Sequence, residues 1–415
     1  MNGPTQAEAT RVFARIGLLS FGGPAAQIAL MHRELVEQRP WLTEAQFLNA
    51  LSFCMLLPGP EAMQLATYTG WRLHGVRGGL IAGLLFVVPG ALVVMALSAS
   101  YALFGQVPLI EAMFLGVKAA IVIIVIEALL RVAKKALNGP AHWLIAALSF
   151  VGIFFLDLPF PLIIALAGFY GFVSSRGTTD TAPHPTVATP IRTITIWLAL
   201  WWAPVLVLWA TGATFLTQIA LFFSKLAIVT FGGAYAVLAY MAQAAVSDKG
   251  WLSTPQMMDG LGLAETTPGP LILVTEFVGF MAGYSTHGIW LGFAAALVAI
   301  WVTFAPCFLW IFTGAPYIDW VASKPRLKGA LSAITAAVVG VILNLSLWFA
   351  MHVFFSNVGQ TKVGPITLLT PEISSLDWHV IVLTLCAGFM IFRLHWDLFK
   401  VLLAMACGGV ALSLL

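Results

Sequence analysis

Charge is what this sequence has least of. Only 9% of its 415 residues are Asp, Glu, Lys or Arg, against about 25% in average soluble domains. With 60% hydrophobic residues and a mean hydropathy of +0.95, no water-soluble fold could cover its apolar surface, so a helical membrane protein is expected. Strict alternation is also missing. Apolar runs continue for 17 residues or more, as in Ala119–Leu130 and its flanks, which argues against a barrel of strands about ten residues long. No GxxxxGK[ST] loop occurs, which disfavours ATP drive. The four cysteines (54, 307, 386 and 407) sit inside apolar runs without ligand spacing, and the histidines are scattered near loop ends. They read as small buried hydrophobes and loop residues, with no metal site and no cofactor. No nucleic-acid partner is implied by a net charge of +3. No cleavable signal peptide is read, because Met1–Thr10 is polar and the first apolar run passes into an FGG turn.

What is present is a duplication. Phe21–Gly23 returns as Phe231–Gly233, and Pro58–Pro60 as Pro268–Pro270, each 210 residues on. Trp41-Leu42 returns as Trp251-Leu252 at the same distance, and Phe13, Arg15, Met31 and Gln46 meet Phe223, Lys225, Met241 and Gln256. The register reads as ungapped from about 12 to 70, then shifts to 217, where Pro89 meets Pro306. Each half holds six apolar segments: 12–31, 44–73, 77–104, 108–136, 140–157 and 159–175, then 215–241, 254–283, 286–315, 326–355, 377–393 and 396–414. Three parts follow: residues 1–175 as an N-terminal repeat, 176–212 as a polar linker plus one unpaired helix, and 213–415 as the C-terminal repeat.

One extra crossing between the halves turns the second upside down. Basic loop residues agree. Arg72 and Arg77 have no counterpart in 282–290, Lys324, Arg326 and Lys328 have none in 102–112, and Arg131, Lys134 and Lys135 face a loop with only Lys362. The bias reverses at each pair, the mark of an inverted repeat. It predicts a cytoplasmic linker and a C-terminus outside.

The first two segments of each half are interrupted. Proline removes an amide N–H and clashes with the preceding turn, so a continuous helix cannot pass Pro58-Gly59-Pro60 or Pro268-Gly269-Pro270, and Gly22-Gly23 and Gly232-Gly233 break segment one. Thr43 and Ser253 are placed to cap the half-helices before each PGP. Broken helices at matching places in two halves point to a transport site, and half-helix N-termini attract anions. The glycines and prolines named here, with Gln64, Thr266 and Thr267, are therefore candidate substrate contacts. The rival reading is helix packing and kinking. Lys118, near the middle of segment 108–136, is a candidate anion ligand or gate, with Glu111 on the same face as an alternative ion-pair partner. Glu61 and Glu265 flank the two PGP motifs and are candidates for proton coupling. Leu271 stands where the first half has Glu61. Glu127, Lys225 and Glu276 divide evenly between pairing and function.

The FGG motifs, LLPGPEAMQLATYTGW (Leu56–Trp71) and LAETTPGP (Leu263–Pro270) resemble the chromate ion transporter family, and the six-plus-one-plus-six layout is similar to its long-chain, two-domain members. The resemblance covers nearly the whole chain, most weakly 174–215 and after 355. It implies a bacterial inner-membrane protein that exports chromate and confers chromate resistance. Sulfate or another oxyanion is the same-class alternative. An intramembrane lipid-phosphate enzyme is the different-class one, disfavoured by scarce buried Arg and by the lack of His beside the PGP motifs. The oligomeric state stays open, a dimer among the options.

Overall fold

The computed structural model describes residues 3–175, 191–231, 234–318, 324–364 and 366–414. Gly232, Gly233 and most of the predicted linker lie outside them. The described chain is helical apart from one hairpin. In order come α1 (Gln6–Leu19), α2 (Gly23–His32, ending in a π turn Arg33–Glu37), α3 (Glu44–Leu56), α4 (Glu61–Phe104), α5 (Pro108–Ala136), α6 (Pro140–Phe154), α7 (Phe160–Ser174), α8 (Ile191–Ala210), α9 (Thr214–Val229), α10 (Ala234–Gln243, ending in a π turn Ala244–Asp248) and α11 (Thr254–Thr266). A 3₁₀ turn Leu271–Leu273 leads into α12 (Val274–His287), followed by α13 (Ile289–Gly314), α14 (Pro325–Phe354), strands β1 (Val358–Val363) and β2 (Ile366–Pro371), α15 (Trp378–Phe392) and α16 (Leu398–Ser413).

This is an all-α polytopic membrane architecture. Among the described residues, five stretches, including α5, α8 and α14, are long and apolar enough to cross a bilayer. Large side chains such as Leu92, Trp143, Phe169 and Trp209 stand exposed on helix surfaces. Water would penalise that exposure; lipid does not. Cys54 and Cys307 are buried, but Cys386 and Cys407 are exposed on α15 and α16, contrary to the expectation of four buried thiols. In a lipid-facing helix a small apolar residue needs no burial within protein.

Contacts divide the chain into two compact units, each assembled from both halves. The first comprises Met1–Ala99, Arg176–Ala234 and Thr267–Lys328; the second comprises Ser100–Ser175, Tyr235–Thr266 and Gly329–Leu415. In the first, α12 and α13 form a hairpin on which α8 and α9 pack. Trp201 Nε1 donates to Ser224 Oγ at 3.2 Å and Trp301 Nε1 to the Leu200 carbonyl at 2.9 Å. In the second, α5 is the central post, with α11, α15 and α16 against it. Gly116 meets the backbone of Met405 while Gly409 meets that of Ala112, the close approach that small residues allow in membrane helices. The β1–β2 hairpin turns at Gly364 (φ 61°) and is tied to the α6–α7 connection by Thr367, whose N–H donates to the Phe155 carbonyl at 2.8 Å and whose hydroxyl donates to Asp157 at 3.0 Å.

The caps fall where expected. Thr43 and Gln46 form a reciprocal capping box at α3, and Ser253 and Gln256 do the same at α11. The repeat register does not stay ungapped. α4 starts directly after the first PGP, whereas Leu271–Leu273 is inserted before α12. The kink His74-Gly75 (Gly75 φ 61°) then matches His287-Gly288 (Gly288 φ 82°), 213 residues on.

Candidate functional site

The broken helices meet in the first unit. α1 ends at Leu19, and Ser20 to Gly22 carry the chain into α2; Gly22 and Gly23 have φ of 81° and 77°, a left-handed conformation that glycine adopts at little cost. α3 ends at Leu56, and Gly59 at φ 121° turns the chain into α4. These breaks engage the breaks of the other half. The Gly59 N–H donates to the Thr230 carbonyl at 2.8 Å, and the Gly269 N–H donates to the Ser20 carbonyl at 2.8 Å. Thr230 precedes the second FGG just as Ser20 precedes the first. Each PGP is thereby stitched to the segment-one break of the opposite repeat. The pattern extends to the third segment: Cys307, after the Pro306 of α13, packs on Gly59, and Gly90, after the Pro89 of α4, packs on Pro268 and Gly269.

Two buried glutamines complete the crossing. Gln27 Nε2 donates to the Gly269 carbonyl at 2.7 Å and to that of Ser20 at 3.3 Å. Gln64 Nε2 donates to the Pro58 carbonyl at 2.8 Å. The Oε1 atoms of both are buried without a hydrogen-bond donor among the described residues, so each offers an acceptor that a water or a ligand O–H would satisfy.

These bonds limit what the PGP motifs can give an anion. Prolines have no N–H, and the one amide of each motif is used in the crossing. The remaining donors are first-turn amides of the following helices, at Glu61, Ala62 and Met63 and at Leu271 and Ile272, which have no intrahelical acceptor. They lie at a positive dipole end. Glu61 borders the first group. Gln64, Tyr68 and Arg72 continue from it as one stripe, buried at Gln64 and Tyr68 and exposed at Arg72, whose guanidinium reaches the Tyr68 hydroxyl at 3.5 Å.

Lys118, Glu265 and Thr266 belong to the second unit. Lys118 Nζ lies 3.1 Å from Asp259 Oδ1, and the Tyr101 hydroxyl donates to Asp259 Oδ2 at 2.7 Å. Asp259, on α11, is the partner of Lys118 rather than Glu111. It was missed because it lies 141 positions downstream of Lys118, and only helix packing unites them. Glu265 accepts from the Tyr235 hydroxyl at 2.7 Å, and the Thr266 hydroxyl donates to the Leu263 carbonyl. Thr267 is buried in the first unit, ahead of Pro268. Glu127 pairs with Arg131 at 2.5 Å, one helical turn on.

A profile described as chromate transporter matches the chain twice, over residues 7–172 and 217–412. The chain belongs to the chromate transporter family. Membership of this family places it among transporters rather than enzymes. The chain is 31% identical over 341 residues to a probable chromate transport protein of Synechococcus elongatus, covering 80% of this chain and 81% of that one. It is 34% identical over 340 residues to a chromate transport protein of Pseudomonas aeruginosa (80% and 77%), and 29% over 334 residues to one of Cupriavidus metallidurans (80% and 79%). No solved structure matches it. Both family matches contain an FGG and a PGP motif, so the stitched crossing is built from segments that the family profile covers.

Proposed function

We propose that this chromate transporter family member exports chromate from the cytoplasm, across a bacterial inner membrane, and so confers chromate resistance. The observation that carries the reading is the family match in both halves. The stitched pair of broken helices supports it physically, because non-helical backbone at membrane depth is tolerated where it is buried or lines a pathway, and the first-turn amides of α4 and those of Leu271 and Ile272 in the 3₁₀ turn before α12 are oriented donors for a tetrahedral oxyanion. The repeats lie inverted in the membrane with the C-terminus periplasmic, as the loop charges predict. On this reading the PGP glycines hold the crossing in shape, while the amides after them, with Gln64, line the substrate path. Glu61 borders that path, whereas Glu265 and Lys118 of the second unit act in the cycle through their own contacts, with Tyr235 and Asp259.

Energetics favour export. One charge crossing 100 mV is worth about 2.3 kcal/mol, so a dianion leaving an inside-negative cell gains about 4.6 kcal/mol. Uptake would need about three co-transported protons to reverse the net charge. The test is chromate accumulation in inside-out vesicles containing the folded chain, with an imposed potential and added sulfate. Energised accumulation that collapses with the gradient supports export. Full competition by equimolar sulfate would make this a general oxyanion carrier, and no accumulation would remove the export reading.

A further inference from the structure

Among the charged side chains of the first unit, Glu276 stands apart. It is 0% exposed, and neither carboxylate oxygen has a hydrogen-bond partner among the described residues. It sits in the first turn of α12, just past the second PGP and the inserted 3₁₀ turn. α13, which packs along α12, carries no Asp, Glu, Lys, Arg or His, and its one titratable side chain, Cys307, donates to the Thr303 carbonyl at 3.4 Å. The 3₁₀ turn is Leu-Ile-Leu. The nearby hydroxyls are engaged with each other and with backbone: Thr303 reaches Thr275 at 3.5 Å, and Thr275 donates to the Ile272 carbonyl at 2.8 Å. On α12 itself the other titratable residues are Tyr284 and His287, two and three turns further on. No charged group acts on Glu276 from these elements.

The first repeat supplies an internal control. Aligning α12 with α4 by their starts after PGP sets Glu276 opposite Met63, an equally buried thioether. The fold therefore accepts an apolar residue at this place, so packing does not explain a carboxyl there. An ionised carboxylate without cation or donor is costly in protein interiors and in membranes. A sodium ion would call for several oxygen ligands, and no group of three or more acidic, His or Cys side chains forms around Glu276 among the described residues. A single proton needs no cage.

We propose that Glu276 is the proton site of the transport cycle: it is protonated in this conformation, having taken a proton from the outer aqueous phase, and releases it to the cytoplasm as chromate moves outward. The proposal rests on the export reading above, but its first test does not. Hydrophobic carbodiimides modify carboxyls that are protonated in apolar surroundings. Treating the purified full-length chain with dicyclohexylcarbodiimide at neutral pH and mapping the adduct by mass spectrometry is expected to label Glu276. No label at Glu276 from pH 6 to 8 overturns the proposal, whether or not chromate is transported. The second test is export in proteoliposomes. A pH gradient of about one unit, a tenfold proton ratio, is expected to stimulate the wild-type chain by up to about tenfold and Glu276→Gln not at all, while potential-driven chromate flux through the variant persists. An unchanged pH response in Glu276→Gln, or a wild-type response that follows a sodium gradient at fixed pH, overturns it. Glu276→Met, the residue of the first repeat, repeats the test should the amide fold poorly.

Discussion

Replacing Gly59 by alanine should disable the crossing through two separable costs. Gly59 has φ 121°, where a Cβ is strained by about 1–3 kcal/mol. A Cβ built there would also stand 2.8 Å from Cys307 Sγ and 2.8 Å from Gln64 Nε2, and such overpacking costs about 1–3 kcal/mol. The expected sum is about 2–6 kcal/mol. Because Gln64 must swing away from Pro58 to make room, chromate flux should fall as well. The assay is reversible unfolding in mixed detergent micelles, run as a cycle with Cys307→Ala. Removing the sulfur relieves one of the two close contacts, so the double variant should recover a share of that steric cost, about 0.5–1.5 kcal/mol, while the Gln64 contact and the backbone strain remain. A Gly59→Ala protein within about 0.5 kcal/mol of wild type, or a cycle with no coupling between 59 and 307, would refute the packing described.

Two further outcomes follow from other contacts. Lys118→Met strands Asp259 and should destabilise the chain by about 3–5 kcal/mol, whereas Lys118→Met with Asp259→Leu should regain most of that in the same unfolding assay. Lost chromate flux in the folded double variant would assign one of the pair to transport, and full flux would remove Lys118 from the path. At the α2–α3 connection, His32 is hydrogen-bonded to Glu44 (2.7 Å) and Glu37 (3.1 Å), which raises its pKa above 6.5, the Glu44 bond contributing most. A raised folded-state value means stability that is fully present below about pH 6.5 and lost as pH climbs through the raised value. Melting curves from pH 5 to 9 should show that loss in the wild type and none in His32→Gln.

The sequence was most readable where a single residue type decides local structure. Prolines 58, 60, 268 and 270 announced where segment two breaks, Gly22 where segment one does, and Thr43 and Ser253 where half-helices begin, because each acts on its own backbone. Residues that act at a distance were not readable. Nothing local to Lys118 names Asp259, and nothing in PGP says that its one amide bonds to a carbonyl of the opposite repeat. The three-residue insertion before α12 was hidden because Leu271–Leu273 is as apolar as the helix it precedes. The β1–β2 hairpin was also missed: β1 is a short mixed segment, VGQTKV, in a stretch read only as a loop between apolar runs.

The reciprocal stitching also constrains how the chain comes into being. Thr230, which receives the Gly59 amide, is translated 171 residues after it, and Gly269, which binds Ser20, 249 residues after that residue. At about 5–20 residues per second the first break waits about 10–35 s for its acceptor. Through that interval the opening half is held in the bilayer with its turn unfastened, and neither half can close its own. The order of synthesis thus makes closure of the crossing a late event, which the nascent N-terminal half reaches only when the second half of the chain arrives to meet it.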